Sequence, residues 1–430
     1  MKESKFNVFF THQETIIGYN CLSENYMLFS DVLYEMFKSC VQTDSYEELG
    51  LIHKEFYDEL VKNRFILSDN IDEVDEVIKI SRAIDGDESI YQIHINPTMN
   101  CNFKCWYCYE THIKDSKIEG ELIGTINKVI DKISLNKELK EIHLSWFGGE
   151  PLLYFDNVIA PIQKYIFNKA KAKELRFSAS ITTNGLLVNQ KVIDFCRKYS
   201  LNAFQITLDG NEEMHDKVRY ISKSKGSYRK IVNNIQKLAE NNVRVNVRIN
   251  CSPNTLPGLK EIIEDFKLFT EQEKANISFD FQKVWQDEAL MTEDLLNPFR
   301  FYFRSFGFKV RGGIYDTMKY SCYADKKNQL LINYNGDVFK CTARDFKKNN
   351  REGTLSVEGD ILWNENFEKR LSAKFKNKPC LDCKILPFCG GGCSQVAIEN
   401  ENNDYCVHNF DEESKVQAVK NKFLEIIDYY

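Results

Sequence analysis

The sequence predicts an α/β protein built on a partial (β/α)6 barrel of the TIM type, with a small α+β domain before it and a cysteine-rich domain after it. Three observations predict this class. Six short β-rich segments alternate with helical segments between about residues 92 and 300. The first ninety residues follow a different pattern, and cysteines become frequent after about residue 310. We therefore place the domains at residues 1–90, 91–305 and 306–430.

Length and composition narrow the class of protein. A chain of 430 residues is too long for one ordinary core, and 43% hydrophobic residues are ample for burial. The net charge of −6 provides no overall basic surface field, which argues against nucleic acid as the main partner and leaves only a local binding patch open. No apolar run is long enough to span a membrane, and the start, "MKESKFNVFF", has no secretory signal. We expect a cytoplasmic protein with no membrane partner, whose 14 cysteines are metal ligands, reactive thiols or buried apolar residues.

The first domain is predicted to combine a small antiparallel sheet with helices. Its strand-like segments are "FNVFF", "TIIGYN" and "YMLFS", and "RFILS" supplies a last strand. Its amphipathic helical segments are "DVLYEMFKS" and "EELGLIHKEFYDELVKN". An acidic linker, "DNIDEVDEV", is then expected to lead into the barrel.

Six β-rich segments form the predicted barrel: "YQIHINPT", "EIHLSWFG", "FSASITTNG", "AFQITLDG", "VRVNVRIN" and "ISFDFQKV". Because helical segments connect them, consecutive strands should lie parallel and wind into an open sheet or a partial barrel. Reactive groups in such folds lie at the C-terminal ends of the strands. Three clustered cysteines, then "GGEP", "TTNG" and "LDG", end the first four strands, so we expect these segments on one rim.

Three cysteines follow the first strand in "MNCNFKCWYCYETH", at Cys101, Cys105 and Cys108. Three thiolates can bind three irons of a four-iron cluster and leave the fourth iron open to a chelating small molecule. The alternative is zinc, held by the three cysteines and His112. The position at a barrel rim beside "GGEP" favours the iron–sulfur cluster.

The segment "CNFKCWYC", with an aromatic residue before its last cysteine, resembles the signature of radical S-adenosylmethionine (radical SAM) enzymes. The resemblance implies that the three cysteines hold a catalytic [4Fe–4S] cluster whose open iron binds the amino and carboxylate groups of S-adenosylmethionine. It also implies further cofactor contacts. The second motif, Gly148, Gly149, Glu150 and Pro151, would contact the methionine amino group. Tyr107 would lie near the adenine, and Thr183 and Asn184 near the ribose or sulfonium. Arg219 would pair with the methionine carboxylate, and Asp209, at the end of the fourth strand, is a further cofactor contact.

The C-terminal cysteines form a second pattern. Cys322 and Cys341 are followed by "CLDCKILPFCGGGC", which holds Cys-x2-Cys-x5-Cys-x3-Cys, and Cys406 follows after 12 intervening residues. Zinc ribbons use such pairs, but seven cysteines do not divide into closed sites of four. The whole run resembles the SPASM domain of enzymes that mature ribosomal peptides, sulfatases and quinone precursors.

The SPASM resemblance implies two auxiliary [4Fe–4S] clusters, three clusters in all. The outer cluster would be ligated by Cys380, Cys383, Cys389 and Cys406, and the inner one by Cys322, Cys341 and Cys393. Fully ligated relatives have another cysteine a few residues before Cys322. In this chain the segment "GGIYDTMKYSC", which ends at Cys322, contains no other cysteine. The inner cluster would then keep an open iron or take an oxygen ligand such as Asp316, and it could bind substrate or relay electrons.

Four cysteines lie outside both patterns. Cys21, Cys40 and Cys196 are predicted to be small buried apolar residues, and Cys251 is left undecided because it follows the fifth strand near the rim.

Together these features predict a radical SAM peptide maturase, an oxidoreductase. The small N-terminal domain resembles the leader-recognition domains of peptide-modifying enzymes, which take a leader peptide as an added strand. The expected partners are a precursor peptide with its leader and a flavodoxin- or ferredoxin-type electron donor. The expected modification is a cross-link or a thioether. Two alternatives stay open: an anaerobic sulfatase-maturating enzyme that makes formylglycine, and a non-catalytic metal-binding scaffold.

Overall fold

The computed structural model describes residues 1–222, 225–287, 293–311, 321–400 and 403–428. The chain forms two compact units. The first unit comprises residues 1–87, 314–327 and 368–430, and the second comprises residues 88–313 and 328–367. Within the described ranges, no helix is long and apolar enough to cross a membrane.

The described strands and helices are as follows. The strands are β1 (Lys2–Glu3), β2 (Asn7–His12), β3 (Thr15–Asn20), β4 (Asn25–Phe29), β5 (Ile66–Leu67), β6 (Ile90–Ile95), β7 (Glu141–Trp146), β8 (Arg176–Thr183), β9 (Leu201–Leu208), β10 (Tyr220–Ser222), β11 (Lys225–Gly226), β12 (Arg244–Cys251), β13 (Ile277–Lys283), β14 (Lys309–Val310), β15 (Gln329–Ile332), β16 (Asp337–Phe339), β17 (Gly353–Leu355) and β18 (Ile361–Trp363). The α-helices are α1 (Asp31–Thr43), α2 (Tyr46–Ile52), α3 (Lys54–Lys62), α4 (Glu73–Asp85), α5 (Gly120–Ile133), α6 (Ala160–Ala172), α7 (Gln190–Tyr199), α8 (Glu212–Val218), α9 (Tyr228–Glu240), α10 (Glu271–Ala275), α11 (Glu293–Ser305), α12 (Glu365–Leu371), α13 (Lys378–Leu381), α14 (Leu386–Cys389), α15 (Ser394–Glu399) and α16 (Glu412–Asp428).

An eleven-stranded sheet forms the second unit, in the order β14-β13-β12-β9-β8-β7-β6-β15-β16-β17-β18. The six predicted strands are confirmed: β6, β7, β8, β9, β12 and β13 are parallel neighbours in chain order. A sheet wound in one direction is the arrangement of a TIM-like barrel, so the predicted α/β class with a large parallel sheet is confirmed. Strands β16, β17 and β18 extend the sheet in antiparallel fashion beyond β15.

The two faces of the parallel strands differ in polarity. On β7, the side chains of Ile142, Leu144 and Trp146 are fully buried in the hydrophobic core, with helix residues such as Ile130 and Ile162. The alternate residues on β7 and on the other parallel strands are polar. They include His143, Ser145, Ser178, Ser180, Gln205, Thr207, Asn246, Arg248, Ser278 and Asp280. Because side chains alternate along a strand, one face packs against helices and the other forms a polar interior. A polar interior is suited to binding polar molecules at its open end.

In the first unit, the three strands β2, β3 and β4 form the predicted antiparallel sheet. One face packs Phe9 and Phe29 against residues of α1 and α3. The other face packs Phe10 and Tyr19 in a second core with residues of the C-terminal region, including Leu386. The sheet is therefore covered on both faces, and its edges are β2 and β4.

Two helical predictions in this unit need correction. The segment predicted as one helix, "EELGLIHKEFYDELVKN", is divided at His53, where the backbone leaves helical geometry and Nδ1 accepts the N–H of Phe56 as a cap for α3. The predicted acidic linker contains the first residues of α4. The Asp72 side chain caps that helix by accepting hydrogen bonds from two backbone N–H groups. Acidic residues in the first turn stabilise the helix further through their interaction with the helix dipole.

We predict that Gly18 and Gly124 respond oppositely to alanine. A Cβ at Gly18 would lie 2.7 Å from the rings of Phe29 and Phe65, so Gly18→Ala should destabilise the protein by about 1–3 kcal/mol. Gly124 is in α5, and a Cβ at this position would meet no described atom within 4 Å, so Gly124→Ala should stabilise the protein by about 0.5–1 kcal/mol. Thermal unfolding followed by circular dichroism measures both. A Gly18→Ala protein as stable as the parent would contradict the packing described.

Candidate active site

A cavity of about 320 Å³ lies at the C-terminal ends of the parallel strands in the second unit. It is lined by nine of the predicted site residues. These are Cys101, Cys105, Tyr107, Cys108, Gly148, Gly149, Thr183, Asn184 and Arg219. Residues from the loops after β6, β7 and β8 thus meet at one rim, as parallel strands require.

The cysteine loop turns tightly at the cavity wall. Cys108 N–H donates to Cys105 O at 3.1 Å, and Phe103 N–H donates to Cys101 Sγ at 3.4 Å. Burial raises the pKa of the Cys101 thiol to about 12 and that of Cys108 to about 11. Such thiols stay protonated at neutral pH unless a metal binds them, and a metal centre deprotonates its thiol ligands. The donor set therefore fits an iron–sulfur cluster.

His112 and Glu110 lie beside the last of these cysteines. His112 Nε2 is 3.4 Å from Cys108 Sγ, and the ligand atoms of Cys108, Glu110 and His112 lie within 4.8 Å of one another. Glu110 also accepts the N–H of Gly149 at 2.8 Å. The Glu110 carboxylate therefore links the cysteine loop to the next strand end, a contact that the sequence analysis did not identify.

The double-glycine turn after β7 packs directly on the start of the cysteine loop. Gly148 and Gly149 both have positive φ, at +77° and +53°. A Cβ on Gly149 would lie 2.3 Å from Asn100 O, and one on Gly148 would lie 2.6 Å from the Asn96 side chain. Glu150 N–H donates to Asn100 O at 2.8 Å. Only glycine fits both positions, because any side chain would push the turn away from the loop.

Glu150 is fully buried, Pro151 is also buried, and neither is among the residues that line the cavity. The Glu150 carboxylate accepts the hydroxyl of Thr183 at 2.7 Å, the N–H of Asn184 at 2.8 Å and the N–H of Leu152 at 3.0 Å. Burial raises the pKa of Glu150, and these donors oppose the rise. In this structure, the Glu150 carboxylate therefore ties the ends of β7 and β8 together.

A second polar network ties the cysteine loop to the end of β9. Arg219 Nε donates to Asp209 at 2.6 Å, and Arg219 Nη2 donates to the Tyr107 hydroxyl at 2.7 Å. The Tyr107 hydroxyl in turn donates to Asp209 at 2.7 Å, and Asn250 Nδ2 also donates to Asp209, at 3.1 Å. The guanidinium thus lines the cavity with its position fixed by a buried carboxylate and a phenol.

His215 supports this network from behind. Asp209 N–H donates to His215 Nδ1 at 3.3 Å, and His215 Nε2 lies 3.0 Å from Ser227 Oγ, which donates to Arg219 O at 2.8 Å. Burial lowers the pKa of His215 to about 3, so the ring is neutral and Nε2 donates to Ser227. Nothing in the sequence pattern signalled this role, because His215 lies inside an ordinary helical segment.

Several further residues that line the cavity were not predicted from the sequence. Arg248 and Asn250 reach the cavity from β12, and Arg248 Nε donates to Asn250 Oδ1 at 3.0 Å. Tyr109 stacks near Trp285, with ring centroids 6.2 Å apart, and its hydroxyl donates to Thr342 O at 2.6 Å. Alternation along β12 was the available signal for Arg248 and Asn250, since both lie on the polar face.

Four C-terminal cysteines line a separate small cavity of about 30 Å³ in the first unit: Cys380, Cys383, Cys389 and Cys406. Asn377 Nδ2 lies 2.9 Å from Cys380 Sγ, in a position to donate to it. Burial raises the pKa of Cys389 to about 12. Four thiols around one small space form a donor set that fits a fully ligated cluster.

The other seven cysteines are not among the residues that line these two cavities. Cys322 and Cys393 belong to the first unit and are exposed, whereas Cys341 belongs to the second unit. Asp316, the suggested oxygen ligand, lies outside the described residues. All 14 cysteines are free thiols, and Cys21, Cys40, Cys196 and Cys251 are buried.

The sequence is similar to known radical SAM proteins. Residues 95–269 match the model of the Radical SAM superfamily. The chain is 26% identical over 404 residues to the radical SAM cyclopropyl synthase TigE of Paramaledivibacter caminithermalis, covering 84% of this chain and 82% of that protein. It is 30% identical over 177 residues to a cysteine-type anaerobic sulfatase-maturating enzyme of Clostridium novyi, covering 39% of this chain and 45% of that enzyme.

Solved structures share the fold. The enzyme anSMEcpe with bound AdoMet superposes with a TM-score of 0.61 at 19% identity, covering 79% of this chain and 98% of that one. Streptococcus suis SuiB bound to precursor peptide SuiA has a TM-score of 0.53 at 15% identity, covering 94% and 98% respectively. At these identities the similarity establishes the fold.

The position of the Glu150 carboxylate should depend on the hydrogen bond that it accepts from the Thr183 hydroxyl. Thr183→Val removes one of the two donors to Glu150 Oε1 and also removes the hydroxyl that accepts the Gly185 N–H. The loss should cost about 1–3 kcal/mol, lower the thermal midpoint and weaken S-adenosylmethionine binding. Thr183→Ser keeps the hydroxyl and should behave like the parent. Calorimetric titration and thermal unfolding measure the two effects. Equal behaviour of the valine and serine variants would contradict this role.

The Tyr107 hydroxyl should position Arg219. Tyr107→Phe should weaken S-adenosylmethionine binding about tenfold, because hydrogen bonds to charged groups contribute about 1.5–3 kcal/mol, while the iron content stays unchanged. The control is Tyr109→Phe, since the Tyr109 hydroxyl donates to Thr342 instead. Equilibrium binding of the cofactor to the anaerobic protein provides the measurement. The same loss of affinity in both variants would rule out a specific role for Tyr107.

Proposed function

We propose that this chain, a radical SAM enzyme, is a maturase that oxidatively modifies a ribosomally synthesised precursor peptide. One observation carries the proposal: three thiols, a double-glycine turn and a fixed guanidinium surround one cavity at the C-terminal rim of a parallel sheet. The fold is shared with SuiB, whose structure holds a precursor peptide. The expected product is a cross-link or a thioether.

The catalytic cluster would be held by Cys101, Cys105 and Cys108. When bound, the cluster and S-adenosylmethionine supply a 5′-deoxyadenosyl radical that removes a hydrogen atom from the substrate. The chain must then bind, orient and shield the reacting groups. Arg219, fixed by Asp209 and Tyr107, provides a cation for the methionine carboxylate.

Other residues would complete the cofactor site. The Gly148–Gly149 turn would border the cofactor with its backbone, because the absence of both Cβ atoms lets the turn pack directly against Asn96 and Asn100 beside the cysteine loop. Thr183 and Asn184 line the cavity and are held by Glu150, so they can offer polar contacts to the ribose or sulfonium without rearranging. Glu150 itself acts as a positioning residue in this arrangement.

Two auxiliary clusters would belong to the C-terminal region. The four thiols that share one small cavity support the outer cluster. Cys322, Cys341 and Cys393 would ligate the inner one, with an open iron or an oxygen ligand. The modification removes two hydrogens from the peptide, one as a hydrogen atom and one as a proton with an electron, and an auxiliary cluster would accept that electron.

The sheet edge at β4 is the proposed site for the leader peptide. Strand β4 pairs only with β3 in the described chain, which leaves one side of its backbone available for an added strand. Leu28 on this strand is 68% exposed. A surface depression beside it is lined by Glu14, Thr15, Leu28, Phe29, Ser30 and Asp31. An apolar leader side chain would bury Leu28, while main-chain hydrogen bonds would align the peptide.

The proposal predicts a mass change in the substrate. Short peptides encoded beside this gene, co-expressed with the chain, should each lose two hydrogens per modification, and fragmentation should locate the new bond. Cys101→Ala should abolish both the modification and 5′-deoxyadenosine formation. Cys196→Ala is the matched control, because Cys196 is buried on α7 and lines neither of the two cysteine-lined cavities. Cleavage of S-adenosylmethionine without change in any peptide, but with conversion of a sulfatase peptide to formylglycine, would identify the alternative enzyme.

The leader site predicts a specific loss of binding. Leu28→Glu should weaken leader-peptide binding about tenfold, because it places a charge in an interface that is desolvated on binding. Leu51→Glu is the control, since Leu51 is 87% exposed on α2 of the same unit. Fluorescence anisotropy of a labelled leader measures both. If the two variants bind the leader equally well, the leader does not use the β4 edge.

A further inference from the structure

One part of the active-site cavity carries no proposed cofactor contact. The residues proposed to hold the cluster and S-adenosylmethionine lie in the segments that follow β6, β7, β8 and β9. Strands β12 and β13 come next in the parallel sheet, and their C-terminal ends supply another part of the lining. We call this part the β12–β13 wall; it consists of Arg248, Asn250, Lys283, Val284, Trp285 and Gln286. The wall is therefore available to a substrate that lies next to the cofactor.

Arg248 has a fixed orientation in this wall. It lies on the polar face of β12, and its Nε donates to Asn250 Oδ1 at 3.0 Å. Asn250 Nδ2 in turn donates to Asp209 Oδ1 at 3.1 Å. Because Asp209 also accepts from Arg219, one buried carboxylate orients both guanidinium groups, the first directly and the second through Asn250. The Arg248 side chain is thus ordered before a ligand binds.

The terminal nitrogens of Arg248 have no partner among the residues that the structure describes. Arg248 forms no ion pair there, and its side chain donates to Asn250 alone. Asp280 is its neighbour in the register of β12 and β13, but Asp280 Oδ1 accepts from Gln282 Nε2 at 2.7 Å instead. Glu110 carries the one carboxylate among the described cavity-lining residues, and it accepts the N–H of Gly149. Both Nη groups of Arg248 are therefore available to a ligand.

The chemistry of the wall favours an anionic ligand. Lys283, at the end of β13, also lines the cavity, and it forms no ion pair with a described residue. Positive groups in a cavity that excludes part of the solvent attract an anion more strongly than the same groups do on an open surface. A guanidinium also presents paired, coplanar N–H donors, which match the two oxygens of a carboxylate.

We propose that Arg248 binds a carboxylate of the substrate peptide and thereby anchors the peptide beside the cofactor. The inference rests on the proposed function, since it takes a peptide as the substrate. The carboxylate belongs either to an Asp or Glu side chain or to the C-terminus of the peptide, and both present the same two oxygens to the guanidinium. Arg248 is thus a specificity-determining residue. A peptide without this carboxylate leaves the guanidinium unpaired in the cavity and binds more weakly.

The test uses the anaerobically reconstituted holoenzyme with S-adenosylmethionine and a precursor peptide that loses two hydrogens on co-expression. In the first series the parent enzyme meets altered peptides: an amide replaces the C-terminal carboxylate, or Asn or Gln replaces each Asp or Glu in turn. In the second series the natural peptide meets Arg248→Gln and Arg248→Lys. The control is Arg244→Gln, because Arg244 is exposed at the N-terminal end of the same strand and does not line the cavity. The rate of peptide modification gives KM and kcat, and calorimetry gives the Kd of S-adenosylmethionine.

We expect Arg248→Gln to raise the KM for the peptide about tenfold to hundredfold and to change kcat less, because the lost contact holds the substrate in ground state and transition state alike. Arg248→Lys should give an intermediate KM, since it keeps the charge but loses the paired donors. Neither variant should change the Kd of S-adenosylmethionine, and Arg244→Gln should match the parent in every value.

The altered peptides should identify the carboxylate. One neutral peptide should show the same rise in KM with the parent enzyme, and Arg248→Gln should act on that peptide and on the natural one with equal KM, because the two changes remove a single interaction. If the amidated peptide shows the rise, the ligand is the C-terminal carboxylate. If an Asn or Gln peptide shows it, the ligand is the side chain replaced in that peptide.

Three results would overturn the inference. Arg248→Gln could raise the peptide KM no more than Arg244→Gln does, or it could weaken S-adenosylmethionine binding about tenfold, which would assign Arg248 to the cofactor. Alternatively, every neutral peptide could have the same KM as the natural one, a result that needs only the parent enzyme and holds even if the Arg248 variants fail to fold. Failure of the proposed function is a separate result: the parent holoenzyme would then cleave S-adenosylmethionine and modify no peptide.

Discussion

The active site depends on the close contact between the Gly148–Gly149 turn and the chain just before Cys101. A Cβ on Gly149 would lie 2.3 Å from Asn100 O, so the two segments touch through backbone alone. Glu150 then donates its N–H to Asn100 and accepts hydrogen bonds from Thr183 and Asn184. Through this contact three strand ends are held together, and the cysteine loop is fixed against a rigid rim instead of projecting freely.

A second set of contacts fixes the other side of the cavity. The Tyr107–Asp209–Arg219 network places a cation in the wall, and His215 holds the backbone around Asp209 and Arg219. Arg219 is buried together with its carboxylate partner, so its side chain is already ordered. A ligand that meets this charge therefore does not have to offset the entropy cost of ordering the side chain. Polar residues from the interior face of the sheet, such as Gln205 and Arg248, line the same cavity.

Much of the fold and site could be predicted, because periodicity and loop position carry that information. Six strands and their parallel order followed from alternating patterns, and the segments at the rim followed from strand ends. The roles of Tyr107 and Arg219 were implied only by the family resemblance. The rest depends on contacts between distant residues. His53 divides a continuous helical pattern by capping, and Asp72 starts a helix inside a stretch expected to be a linker. Glu110 and His215 gain their roles only when the chain folds, since neither belongs to a recognisable local pattern.

We propose that Cys101, Cys105 and Cys108 hold a four-iron cluster with one iron open to S-adenosylmethionine. Electron paramagnetic resonance of the reduced, reconstituted protein tests this most directly, with Cys322, Cys380 and Cys393 replaced by alanine to remove the signals of the auxiliary sites. We expect a cluster signal that changes when S-adenosylmethionine is added, because the cofactor would bind the open iron. A signal that the cofactor leaves unchanged, or a protein that holds zinc and no iron at these three cysteines, would contradict it.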